Sequence, residues 1–157
     1  MTTYNGNDMA VIQITTRDTA VKNLENCQEW MWEGIECTDA AQPPRNMNWG
    51  PDDLYMLQRC LVRGMVDLRA TKRILEWDLP AEHGETVLIP RDILASAMEQ
   101  IGYATNMINW MLGELNTALD PWHEPLNYRT MERTFVQTIQ YVQAVKRDVD
   151  QKGPNDP

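Results

Sequence analysis

The sequence predicts a mainly α protein: a four-helix antiparallel bundle-like domain with a small two-stranded β ribbon over about residues 9–15 and 85–89. Three observations carry that prediction. Four long segments repeat apolar residues at intervals of three and four, which is the helical period. Prolines punctuate the chain between them, at Pro43-Pro44, at Pro80 and at Pro121 and Pro125. The connections are mostly short, which makes successive helices antiparallel neighbours. A chain of 157 residues is long enough to bury a core without disulfides or metals, and it shows no internal repeat. One domain over 1–157 is therefore expected, with residues 1–8 and 152–157 frayed.

Met9 to Thr15, MAVIQIT, alternates with β-branched residues and reads as a short strand. Thr15 or Thr16 can cap the helix that follows, with Asp18 in its first turn. That helix is expected to run to about Gly34, turning Ala20, Leu24, Cys27, Met31 and Ile35 inward. Its opposite side is a row of Glu25, Glu29, Glu33 and Glu36 with Trp32 beside it. Cys37 to Gly50 reads as a loop, because Pro43-Pro44 cannot lie in a helix interior.

Gly50-Pro51-Asp52-Asp53 is a helix start, with proline at the first helical position and two carboxylates behind it. The second helix is expected to reach about Trp77. Leu54, Leu57, Leu61, Met65, Leu68 and Leu75 face inward, Gly64 permits a close crossing, and Arg59, Arg63, Arg69 and Arg73 point away from the core. Glu85 to Ile89, ETVLI, is the second short strand, expected to pair with the first.

Pro90 is expected to open the third helix, whose stretch from Ile93 to Gly113 carries one formal charge, Glu99. Leu94, Met98, Ile101, Thr105, Ile108, Leu112 and Leu115 share one broad face, flanked by Ala97, Ala104 and Met111. Tyr103, Met107 and Trp110 form a second apolar stripe, and Ala95, Gly102, Asn109 and Gly113 form a line of short side chains open to a second backbone. A helix apolar on several sides is central or spans a membrane. Glu99, Gln100, Asn106 and Asn109 would be costly in lipid, so no membrane contact is expected. The last helix, from about Tyr128 to Gln151, buries Met131, Phe135, Val142, Val145 and Val149 before Gly153-Pro154 ends it.

A net charge of −9 argues against a general phosphate-backbone binder, which needs a clustered basic surface, so no direct nucleic-acid contact is expected. Acidic residues concentrate in the first and third helical regions, leaving the second and fourth near neutral or basic. Cys27, Cys37 and Cys60 are odd in number and form no CxxC pair, which suggests free thiols in a reducing compartment. The opening MTTYNGNDMAV lacks the basic and apolar regions of a secretion signal, so the expected location is the cytoplasm, or the host cytoplasm if the chain is viral.

Catalytic chemistry finds few candidates. His83 and His123 fall in connections and no Glu-x-x-His motif exists, so no di-iron site is expected, and Cys27 and Cys37, ten apart with no matching pair, make no zinc site. Ser96 is the one serine and Cys27 faces the core, which leaves no nucleophile beside a base. There is no glycine-rich phosphate loop, and no cofactor is expected. Glu29 and Glu33 form the best magnesium-type pair, and an all-α nucleotide pyrophosphohydrolase would need Glu99 or Glu114 turned toward them.

The aromatic residues point elsewhere. Trp30 and Trp32 are two apart on one helix and cannot share a core; Trp49 lies in the long loop and Trp122 between two prolines. Exposed tryptophan beside carboxylates is suited to binding a basic protein surface. The leading expectation is thus a non-catalytic acidic partner of a basic protein, with nucleic-acid-binding proteins among the candidates. Its candidate residues are Glu25, Glu29, Trp32, Glu33, Glu36, Trp49 and Trp122. Toxin-neutralising immunity proteins and phage-encoded anti-defence inhibitors are of this physical type. The alternative is a homo-oligomeric assembly subunit, such as a virion protein, joined through Tyr103, Met107 and Trp110.

Overall fold

The computed structural model describes residues 8–41, 51–76, 84–118 and 126–151. Its elements follow the order β1 (Met9–Gln13), α1 (Ile14–Ala41), α2 (Pro51–Glu76), β2 (Thr86–Pro90), α3 (Arg91–Ala118) and α4 (Tyr128–Val149). Four helices pack around one core, with α1 against α2 and α4, and α3 against the same two. α1 and α3 therefore lie diagonally. The four-helix antiparallel bundle and the ribbon expected from the sequence are both present. Among the described residues no helix is long and apolar enough to cross a membrane.

β1 and β2 pair antiparallel, with Val11 opposite Leu88 and Met9 opposite Pro90. Alternation turns Ala10, Ile12, Val87 and Ile89 into the core and leaves Val11 and Leu88 exposed. Each strand runs straight into a helix, β1 into α1 and β2 into α3, so the ribbon fixes the start of the two diagonal helices. The first strand stops at Gln13 rather than Thr15. The first turn of α1 therefore forms directly off the ladder, where Ile14 N–H donates to the Glu85 carbonyl at 3.0 Å, and neither Thr15 nor Thr16 acts as a cap. Pro90 closes the ladder instead of opening α3, a position at a strand end where its missing N–H costs nothing.

α1 extends to Ala41, well past Gly34, so the first residues of the expected 37–50 loop are helical. Gly34 is a packing residue and not a stop: a Cβ there would run into the ring of Phe135 on α4. Beyond it Thr38 stays on the buried face, its hydroxyl donating to the Ile35 carbonyl at 2.8 Å. Residues 42–50 of that loop lie outside the described residues.

α2 buries Leu57, Leu61, Met65, Leu68 and Leu75 as expected, with Leu54 half-buried. Gly64 does allow a close crossing, since a Cβ there would meet the Met31 terminal methyl of α1. In α3 the inward face is rotated from expectation. Ala97, Ala104 and Met111 are fully buried with Ile101, Ile108 and Leu115, whereas Leu94, Met98, Thr105 and Leu112 are half-buried. The rotation follows from α3 docking more closely on α4 than on α2. Gly102 and Gly113 face open space, so the approach of another backbone is not made within the chain.

α4 is capped by Asn127, whose side chain accepts from Thr130 N–H at 3.1 Å. At its other end Arg17, nearly buried on α1, donates from Nη1 to the Gln151 carbonyl at 2.6 Å and pairs with Asp18 at 2.9 Å. A buried cation beside the C-terminal end of α4 is electrostatically well placed. The buried hydroxyls of Thr71 and Thr138 are satisfied by carbonyls one turn back, those of Asp67 and Thr134. Among the described residues no buried side-chain polar atom lacks a partner.

Candidate functional site

The acidic row is a consequence of the inward set of α1. With Ala20, Leu24, Cys27 and Met31 fully buried, the residues on the far side of the same turns must face water. Glu25, Glu29, Glu33 and Glu36 are all exposed, and Trp32 retains half of its surface, 50%. The structure thus keeps five of the seven proposed partner-binding residues on one side of α1. Trp49 and Trp122 lie outside the described residues.

The row is not uniform, because α1 has two neighbours. Glu25 leans toward α4, where Lys146 Nζ meets Oε1 at 2.9 Å. Glu29 and Glu33 turn toward α2 and form one wall of a groove of about 540 Å³, together with Asn26 and Trp30. The other wall is Val62, Arg63, Val66 and Asp67 of α2. Arg63 lies over the Trp30 ring, 5.3 Å from guanidinium carbon to ring centroid, a cation–π arrangement that covers one tryptophan and leaves Trp32 outside. The two tryptophans therefore divide as their spacing requires, Trp30 half-buried against the core and Trp32 exposed.

At the floor of the α1–α2 contact the Cys60 thiol donates weakly to Glu33 Oε2 at 4.0 Å. Burial pushes that thiol up to about 12, helped by the neighbouring Cys37 and Glu33 charges. Cys27 is raised further, by burial first and then by Asp67. Neither thiol is a nucleophile near neutral pH, since the thiolate is the reactive form. Asp67 is raised by burial and partly relieved by Arg63.

Metal chemistry has no constellation to use among the described residues, where no group of three or more His, Cys, Asp or Glu could hold an ion. Glu99 and Glu114, the carboxylates that a magnesium site with Glu29 and Glu33 would need, belong to α3, diagonally across the bundle from α1. Glu99 accepts the hydroxyl hydrogen of Tyr103 on its own helix, an interaction that raises the tyrosine.

The proposed self-association stripe is spread over an edge shared with α4. Tyr103 is 43% exposed and tilts against Tyr141 with ring centroids 5.5 Å apart. Met107 is half-buried, its sulfur accepting from Thr138 Oγ1 at 3.7 Å. Trp110 is exposed.

Val62 and Val66 were not foreseen as surface features. Both are exposed, and they place apolar surface among the arginines of α2. Their signal was legible in principle: valine at 62 and 66 falls outside the Leu57, Leu61, Met65, Leu68 series. No known protein family, curated protein or solved structure matches this chain.

Proposed function

We propose that the chain is a non-catalytic protein-binding domain that occupies a basic surface of another protein stoichiometrically, in the manner of an immunity-type or anti-defence inhibitor. The observation that carries this reading is the outward side of α1, where Glu25, Glu29, Glu33 and Glu36 stand exposed around a half-exposed Trp32. An aromatic anchor within a field of one sign is the composition of a contact that steers and then holds an oppositely charged partner. Among the described residues Glu29, Glu33 and Glu36 make no ion pair, so their charge is available to a partner.

The test is a tagged pull-down from native host lysate, washed at low and high salt. A basic protein retained near one-to-one and released by salt supports the reading, and Glu29→Lys with Glu33→Lys is expected to abolish retention while the helical circular dichroism is unchanged. Retention that survives this double variant would sink it.

A further inference from the structure

The α1–α2 face carries both signs of charge, acidic on α1 and basic on α2 except for Asp67. Glu29 and Glu33 stand on α1 while Arg59 and Arg63 stand on α2, all four exposed. The rows run side by side at matching heights: Arg63 covers Trp30, next to Glu29, and Cys60, next to Arg59, reaches Glu33. Yet neither Glu29 nor Glu33 is ion-paired with either arginine. Val62 and Val66, 45% and 60% exposed, line the same groove on α2.

We propose that this face binds a second copy of the chain about a two-fold axis running along the α1–α2 groove. Such an axis lays α1 of one copy over α2 of the other without changing heights. Glu29 then meets the other copy's Arg63, Glu33 meets its Arg59, and each contact occurs twice. A two-fold axis across the helices would instead lay α1 over α1 and oppose carboxylate to carboxylate, so the charge pattern selects the first arrangement.

Two observations favour a copy of this chain as the occupant. At −9 per chain, self-association is opposed everywhere except where the charges complement, and here they do. The area is also sufficient: α2 alone has 26 residues, about 39 Å of helix. Two helices at about 9 Å spacing offer on the order of 700 Å², close to the ~800 Å² per partner of a standard interface. The proposal does not depend on a basic partner; such a partner would compete for Glu29 and Glu33.

Sedimentation equilibrium of the purified full chain from about 1 to 500 µM spans micromolar dimer affinities. The expected result is a mass rising with concentration from 18.2 kDa toward twice that value. Glu29→Arg with Glu33→Arg leaves four basic side chains at these four positions, and Arg59→Glu with Arg63→Glu leaves four acidic ones. Each variant alone is expected to dimerise at least about ten-fold more weakly than wild type, with the thermal midpoint confirming an intact fold. Mixed one-to-one, the two variants are expected to restore the dimer. Trp110→Glu on α3 is expected to leave the wild-type dimer unchanged. A wild-type chain that stays at 18.2 kDa throughout overturns the proposal. So does a dimer that survives both swaps or is lost in Trp110→Glu, and so does a mixture that fails to associate.

Discussion

Gly34 and Gly64, where α1 and α2 meet their neighbours, and Gly102 and Gly113, on the outward side of α3, are glycines of the same kind in sequence: each lies inside a continuous helix. Their surroundings are opposite. A Cβ at Gly34 would strike the Phe135 ring and one at Gly64 the Met31 methyl, whereas at Gly102 or Gly113 it would meet nothing within 4 Å. The difference shows that a small residue in a helix reports close packing only when a large, fully buried residue on another helix is aimed at it. α1 has that opposing residue in Phe135, and the outward side of α3 has none.

The largest expected effect tests the packed side. Phe135 is the chain's one phenylalanine and is fully buried, so Phe135→Ala should lower the unfolding free energy by about 3–5 kcal/mol in urea titrations. Gly34→Ala should cost about 1–3 kcal/mol, because the ring it meets is rigid and enclosed. The cost should shrink in a Phe135→Leu background, where a double-mutant cycle isolates the contact. Gly64→Ala should be milder than Gly34→Ala, since the end of the Met31 side chain can swing aside. Equal losses at the two positions would break the distinction between a ring and a flexible methyl.

On the open side the sign reverses. Gly102→Ala should stabilise by about 0.5–1 kcal/mol through reduced backbone entropy in the unfolded chain. A loss there, read as a lowered thermal midpoint, would mean that something covers α3 in solution. The smallest expected effect concerns Asp67, half-buried at the groove and raised by that burial. An acid whose folded pKa lies above its unfolded one is destabilising when ionised, so Asp67→Asn should be slightly more stable than wild type at neutral pH. The advantage should fade as pH falls through the carboxylate range and vanish once both states bind the proton. Paired melts at neutral and acid pH measure it.

The comparison of glycines also marks how far the sequence could be read. The inward series of α2, from Leu57 to Leu75, and the buried positions Met131, Phe135, Val142, Val145 and Val149 of α4 were legible because apolar period alone specifies them. Helix ends were less legible. Gly34 resembles a stop, and only the Phe135 ring on another helix explains why the helix continues through it. The acidic row of α1 was readable as a row, but its division was not. Glu25 joins Lys146 of α4 and Glu29 joins the α1–α2 groove because two different helices flank α1.

By itself the sequence determined the number of helices, the inward faces of α2 and α4, the two short strands and the segregation of charge, all of which are carried by local residue spacing. Tertiary structure alone decided that α1 and α3 sit diagonally. It also decided that Arg63 lies over Trp30, that Arg17 ends at the Gln151 carbonyl, and that acidic and basic rows stand side by side at equal heights. These features depend on which helices become neighbours and at what register. That choice is settled by how whole faces fit together, and no local interval in the chain encodes it.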